Sequence, residues 1–257
     1  MTEIQPEIQP EIQPGPVSKS WLLGFKDIFF TPGKIIRHAP FPVGKVAATA
    51  LLMYVLSAIL SAYITDSSAA LRDENYLLRA RPIEMAQQNG KLPKAKAEEQ
   101  LRDMKQNYRF VLSTALTATL PIGAVWLLAT TALVWLIQNF LLKESLTFTY
   151  TLAFVSFGNA IDAAGNLFKT ILHYIAGKLW VDPSLAAFTN AYDHPFLFAF
   201  LSRVDVFIIW QYAAVALAIC AYANAGRRKA YLLAAVVITI ILLYFGAGAY
   251  YGASLVE

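Results

Sequence analysis

The sequence predicts an all-α integral membrane protein, a polytopic bundle of five transmembrane helices. The first observation is composition: 57% of the 257 residues are hydrophobic and only 15% are charged, whereas soluble domains carry roughly 25% charged residues. The second is a set of five apolar segments, each about as long as a ~30 Å hydrocarbon core requires. The third is the pattern of connections, of which two are very short and one is long and polar. A soluble enzyme and a disordered chain are both disfavoured.

The first 18 residues repeat the sequence EIQP three times. Proline at every fourth position breaks a helix and favours an extended polyproline II conformation. The repeat is acidic, whereas a secretory signal begins with basic charge and continues into an apolar run. We expect residues 1–18 to form a flexible tail. A short docking strand that becomes ordered on a partner is the alternative.

Residues 19–45 form a predicted interfacial segment. Trp21, Phe25 and Phe29 recur at helical spacing on one face, opposite charged residues. Such an amphipathic helix is too polar to cross a bilayer and is suited to lie in the plane of the lipid head groups.

A second short helix is predicted after this one, because Thr31 and Pro32 are typical of an N-cap and a first helical position. Asp27 is the single acidic residue between residues 19 and 45. The segment also contains five basic residues, Lys19, Lys26, Lys34, Arg37 and Lys45. Basic charge next to a first span stays in the cytoplasm, so we expect the N-terminal side to be cytoplasmic.

Residues 46–252 form the predicted membrane domain. Its five spans cover about 46–64, 110–142, 146–174, 204–223 and 230–251. The second span contains Pro121, a predicted kink. The basic turn Arg227–Lys229, between spans four and five, is expected on the cytoplasmic side with the N-terminus. The C-terminus is then outside, and an inner bacterial membrane is the expected location.

Residues 66–109 form the long polar connection, which predicts an extramembrane helical hairpin. The first helix is expected to end near Arg81 and Pro82, and Asn89-Gly90 is typical of a turn. A second helix is predicted from Lys94 and is expected to continue directly into span two. Its charged face is more typical of a solvated surface than of a binding site.

Span three contains a stripe of polar residues inside an otherwise apolar helix. The stripe consists of Asn159, Asp162, Asn166, Lys169 and His173. The spacing of 3, 4, 3 and 4 places all five on one helix face. Two interpretations remain open: an interhelical hydrogen-bonded seam, or an ion path, proton path or polar ligand site. The seam is favoured, since helices in lipid associate without a hydrophobic driving force.

Motifs for catalysis, metal binding and cofactor binding are not found. His38, His173 and His194 are far apart and lack the paired spacing of a zinc site. The sequence contains no glycine-rich nucleotide loop and no nucleophile elbow. Basic residues are scattered, which argues against nucleic acid as a partner. Cys220 is the single cysteine, so an intrachain disulfide is excluded. We therefore expect a protein that is not an enzyme and holds no metal or cofactor.

The stretch FLSRVDVFIIWQYAAVALAICAYANAGRRKAYLLAAVVITIILLYF resembles the last two spans of bacterial Yip1-domain proteins. Asp205, Phe207 and Trp210 occupy the family's motif positions at the start of the fourth span, and Arg227–Lys229 match its basic turn. FKDIFFTPGKIIRHAPFP resembles the family's entry segment. On physical grounds, Asp205 is expected to cap the fourth span or to pair with Arg203. Trp210 is expected in the head-group belt.

The resemblance implies a five-span membrane protein without enzymatic activity. We expect an organising or accessory subunit that binds other membrane proteins or itself, or that shapes the bilayer. The alternative function, taken from the residues alone, is a small transporter or channel that uses the polar stripe of span three.

Overall fold

The computed structural model describes residues 19–106, 112–142, 146–181, 183–189 and 194–254. Within these ranges the chain is helical and contains no β-strand. The α-helices are α1 (Leu23–Phe30), α2 (Val43–Ser67), α3 (Ala69–Gln88), α4 (Lys94–Gln106), α5 (Leu112–Leu142), α6 (Phe148–Ala176), α7 (Pro195–Leu201), α8 (Val206–Tyr222) and α9 (Arg227–Ser254). Short 3-10 helices cover Lys19–Leu22, Pro32–His38 and Leu185–Phe188. The predicted tail, residues 1–18, lies outside the described residues.

The five predicted apolar segments coincide with α2, α5, α6, α8 and α9 to within three residues at each end. Three of these helices, α2, α5 and α9, are long and apolar enough to cross a membrane. These three helices indicate an integral membrane protein. Helix α8 is apolar but has 17 residues, which span about 26 Å. Helix α6 is long enough, but the polar stripe lowers its hydropathy.

Helix α6 is the central helix of the bundle. It packs against α2 on one side and α8 on another, and also contacts α5 and α1. Phe154, Phe157 and Ile161 of α6 are completely buried. Central packing explains how α6 can carry polar residues, because its polar face is turned toward protein rather than toward lipid.

The directions of the helices follow from hydrogen bonds between them. Ser57 of α2 bonds to Asn166 of α6, and four residues later Ser61 bonds to Thr170, so α2 and α6 run parallel. Gln211 bonds to Asn159 and Asp205 to Lys169, so α6 and α8 run antiparallel. The bundle therefore has two distinct ends. We call them the hairpin end, where α2 continues into α3, and the aromatic end, where α6 begins and α8 finishes.

The N-terminal segment packs on the aromatic end of the bundle. The ring of Phe25 lies 4.8 Å from that of Phe157 on α6, and Ile28 is completely buried. Trp21 and Phe29 also pack against the core. The predicted amphipathic helix therefore exists as α1, but its apolar face contacts protein rather than only lipid. An apolar stripe alone does not distinguish the two environments.

Thr31 and Pro32 begin a helix at the predicted position, but the helix is of the 3-10 type. The Thr31 side chain makes no capping bond. Its hydroxyl donates instead to the carboxylate of Asp27, 3.3 Å away. The same carboxylate lies 2.9 Å from Nε2 of His38. Thr31 is therefore the N-cap residue by position, but its side chain is directed to Asp27 and not to a backbone N–H of the helix.

Helices α3 and α4 form the predicted hairpin, but α3 does not end near Arg81 and Pro82. It continues through Pro82 to Gln88. Ala80 and Ala86, on either side of the proline, are buried, so packing holds the helix despite the lost hydrogen bond. The turn lies at Asn89-Gly90 as predicted, with Gly90 in the left-handed region at φ +72°. The predicted continuation of α4 into span two falls on residues 107–111, outside the described residues.

Helices α6 and α8 approach each other closely at two glycines of α6. A Cβ atom at Gly165 would lie 2.5 Å from Cγ of Phe207, and one at Gly158 would overlap Val215. Small residues at such contacts allow dispersion and polar interactions between membrane helices to form.

Substitution Gly158→Ala should destabilise the protein by about 1–3 kcal/mol, because the added methyl group overpacks the α6–α8 contact. The double variant Gly158→Ala/Val215→Ala should recover most of this loss. Gly248→Ala is the matched control, because a Cβ there meets no atom within 4 Å. Thermal unfolding in mild detergent measures all three variants. Equal melting temperatures for Gly158→Ala and Gly248→Ala would contradict the described packing.

Candidate functional site

A polar cavity with a volume of about 900 Å³ lies in the bundle and extends to the hairpin end. Residues of α2, α3, α5, α6, α8 and α9 line it. Four of the five residues of the predicted stripe contribute to this lining: Asp162, Asn166, Lys169 and His173. The structure thus brings together most of the residues that the sequence singled out.

Asn159, the fifth residue of the stripe, does not line the cavity and forms a seam between helices. Its side-chain oxygen accepts a hydrogen bond of 2.8 Å from Nε2 of Gln211 on α8. Both side chains are buried. On the other side of α6, Asn166 donates to Ser57 at 3.5 Å. The stripe therefore contributes both to a seam and to a cavity wall.

Lys169 and Asp205 form an ion pair at the cavity wall. Asp205 is 1% exposed and Lys169 is 19% exposed at its side chain. The same carboxylate caps α8 by accepting a 2.8 Å hydrogen bond from the backbone N–H of Ile208. The cap agrees with one of the two roles expected for Asp205, whereas its ion-pair partner is Lys169 rather than Arg203.

Asp162 is the charged residue of the cavity that lies at the middle of α6. In the part of the chain that the structure describes, its carboxylate forms no hydrogen bond. Its charged neighbours are Lys169 and Arg203, which attract it, and Asp205, which repels it. A carboxylate at this depth thus depends on the field of nearby charges and on whatever occupies the cavity.

Three arginines line the cavity toward the hairpin end. Nη1 of Arg72 donates to the backbone oxygen of Asp66 at 3.4 Å, and Nε of Arg79 donates to Oδ1 of Asn75 at 3.1 Å. The guanidinium of Arg203 lies over the ring of a phenylalanine of α9, 4.8 Å from its centre. Among the described residues no carboxylate lies within 4 Å of Arg79 or Arg203. Most of their N–H groups therefore remain available to a ligand.

Three aromatic residues, which we call the aromatic wall, also line the cavity. They are Trp126 on α5 with Tyr244 and Phe245 on α9. Trp126 lies 6.2 Å from Tyr244 and 5.7 Å from Phe245, measured between ring centres. The cavity is thus amphipathic, because charged groups and aromatic rings both line it.

Aromatic rings fill the other end of the bundle. Phe41 lies 5.6 Å from Phe154 and 5.4 Å from Phe157, and Tyr222 lies 5.0 Å from Tyr150. These rings and the N-terminal segment separate the cavity from the aromatic end. A smaller cleft of about 430 Å³ lies at that end, between the N-terminal segment and helices α8 and α9.

The other two motif positions of the predicted family resemblance lie on α8. Phe207 packs against Gly165 and lines the cavity. Trp210 is 39% exposed, as a residue in a head-group belt requires, but nothing in the contacts of Trp210 assigns it a further role. Sequence analysis missed Ser57, Ser61 and Thr65, whose spacing of four places them on one face of α2. That spacing was the available signal.

Among the described residues, no group of three or more His, Cys, Asp or Glu side chains is placed to hold a metal ion. Comparison of the chain with protein-family models, curated proteins and solved structures gives no match. The resemblance to the Yip1-domain family stays a prediction.

The two parts of the stripe should respond differently to substitution. Asn159→Leu should cost about 1–3 kcal/mol of stability, because it leaves the buried amide of Gln211 without its partner. The double variant Asn159→Leu/Gln211→Leu should restore most of the loss. Asp162→Asn should leave the melting temperature nearly unchanged, since its carboxylate faces the cavity. A loss for Asp162→Asn as large as that for Asn159→Leu would show that Asp162 belongs to the seam.

Proposed function

We propose that the protein is a five-span integral membrane transporter that binds a small polar solute in the cavity and carries it across the bilayer. The proposal includes no catalytic step. Three helices are long and apolar enough to span. Helix α6 adds a fourth span of about 43 Å, and α8 adds a fifth at the lower end of the usual length. The alternating directions of α6 and α8 support this arrangement.

The observation that carries the proposal is the cavity that extends to the middle of α6. Asp162 is the fifteenth of the 29 residues of this helix, so it lies near the midplane of a bilayer that α6 crosses. Transporters place their substrate sites near the midplane. A structural seam alone predicts close packing along the polar face of α6, whereas the cavity leaves space beside Asp162. A volume of about 900 Å³ therefore favours a solute path over a simple seam.

The unequal ends of the bundle support access from one side at a time. The hairpin end contains the polar cavity, whereas packed aromatic rings separate this cavity from the aromatic end. Alternating access requires the aromatic end to open while the hairpin end closes. The N-terminal segment, which packs on α6 and α8, is the element that has to move.

The proposed orientation places the hairpin end outside and the aromatic end in the cytoplasm of a bacterium. The basic residues of the N-terminal segment and the turn Arg227–Lys229 lie at the aromatic end, and basic charge favours the cytoplasmic side. The cavity then faces the outside of the inner membrane in this conformation.

A second candidate is the accessory role that the family resemblance implies. Helix α4 favours it, because α4 packs on α3 and has Ala97 as its buried residue. Its charged outer face is free to contact another membrane protein. In that case the cavity has no transported solute, and deletion of the hairpin tip abolishes association with the partner.

Cysteine labelling tests access to the cavity. In a Cys220→Ala background, Ser61→Cys should react with a membrane-impermeant thiol reagent in intact cells, because Ser61 lines the cavity. Ser156→Cys is the matched control and should stay unlabelled, since Ser156 is completely buried. Labelling of Ser61→Cys in inverted vesicles alone would reverse the orientation. Absence of labelling from both sides would contradict an open cavity.

Solute flux tests transport itself. Proteoliposomes should release at least one of four radiolabelled probes, namely phosphate, benzoate, glycine and choline, faster than protein-free vesicles. Asp162→Leu should abolish this flux, because it replaces the charged floor of the cavity with an apolar side chain. Equal release from both kinds of vesicle for every probe would contradict the proposed transport. The accessory role would then be the remaining candidate function.

A further inference from the structure

We propose that the ligand of the cavity is an organic anion with an apolar body, whose carboxylate or phosphate group binds the arginines while the body packs on the aromatic wall. This inference rests on the proposed function and names the chemical class of its solute. Three features of the cavity support it: the balance of charge, the setting of Arg203 and the aromatic wall.

The charges that line the cavity do not cancel. The basic residues are Arg72, Arg79, Lys169 and Arg203, and the acidic ones are Asp66, Asp162 and Asp205. Lys169 and Asp205 pair with each other, and Asp205 also caps α8. Arg72 lies 4.0 Å from the carboxylate of Asp73, which is outside the lining. Arg79 and Arg203 are then the guanidinium groups of the cavity that have no carboxylate within 4 Å among the described residues, and an anionic ligand supplies that partner.

Arg203 is placed to hold an anionic group. The central carbon of its guanidinium lies 4.8 Å from the centre of the Phe245 ring, within the range of a cation–π contact. A guanidinium that contacts a ring by its face keeps its N–H edges free, and these edges match a carboxylate or a phosphate with two parallel hydrogen bonds. The contact also reduces the freedom that the side chain loses on binding.

The guanidinium of Arg203 contacts Phe245, a member of the aromatic wall. Phe245, under the guanidinium, contacts Tyr244 and Trp126 in turn. A ligand that places its anionic group at Arg203 therefore meets this wall with the rest of its structure. A cavity of about 900 Å³ is within the usual size for small organic ligands. An inorganic anion leaves the wall uncovered.

Binding of a matched set of probes to the purified protein tests this class. Benzoate and phenyl phosphate contain both parts of the proposed ligand. Benzamide and benzylamine keep the ring but carry no charge or a positive charge, and acetate and inorganic phosphate keep the anion without the ring. Isothermal titration calorimetry should give at least tenfold tighter binding for benzoate or phenyl phosphate than for the other four. Lysophosphatidate is added to distinguish a lipid source, since it shares the anionic group and apolar body.

Variants locate the two parts of the ligand. Arg203→Gln should weaken binding of benzoate or phenyl phosphate at least tenfold, because it removes charge-assisted hydrogen bonds. Trp126→Leu should weaken these two probes and leave the weak binding of acetate unchanged. Arg102→Gln is the control, because Arg102 is exposed on α4 and does not line the cavity. Arg79→Gln is a second variant at the cavity, and thermal unfolding shows whether each variant folds.

The outcomes separate this inference from the transporter itself. Tighter binding of benzylamine than of benzoate, or equal binding of benzamide and benzoate, would overturn the proposed anionic ligand. Vesicle flux of another probe would in that case still support transport. Binding of lysophosphatidate alone, weakened by Arg203→Gln, would support the shared chemistry and assign a lipid source. Wild-type affinity for benzoate and phenyl phosphate in both Arg203→Gln and Arg79→Gln would overturn the proposed site.

Discussion

The ion pair between Lys169 and Asp205 is the interaction on which the hairpin half of the bundle depends. Neither charge can remain alone among apolar helices, because an unpaired buried charge costs several kcal/mol. The pair joins α6 to α8, and the same carboxylate fixes the first turn of α8. The start of α8 is thereby fixed beside the last third of α6, and Arg203 is placed at the cavity.

Residues that pack closely on α8 and residues that line the polar cavity alternate along α6. At Gly158 and Gly165 the backbone of α6 approaches α8 closely, and the Asn159–Gln211 bond closes the seam between them. Beyond this seam, toward the hairpin end, the polar face of α6 lines the cavity with Asp162, Asn166 and Lys169. Aromatic packing with the N-terminal segment separates this cavity from the opposite end. One helix thus supplies both the structural centre and the floor of the proposed solute site.

The sequence was sufficient for the helices and for the polar face of α6, because long apolar runs and a spacing of three and four residues are local signals. Contacts between distant segments carry no local signal, so Arg72 and Arg203 could not be assigned to the site of Asp162. Pro82 was expected to end a helix, but burial of Ala80 and Ala86 overrides that tendency. Phe25 was expected at the lipid head groups but packs on Phe157. The amphipathic pattern of α1 is the same in both cases, so the sequence does not tell which of the two covers its apolar face.

A double-mutant cycle on Lys169 and Asp205 tests the central claim most directly. Asp205→Asn removes the charge but keeps a good helix cap, and Lys169→Met keeps most of the side-chain volume. Unfolding in detergent should show that each single variant loses about 3–5 kcal/mol, while the double variant recovers most of it, because no charge is left unpaired. Additive losses in the double variant would contradict the account.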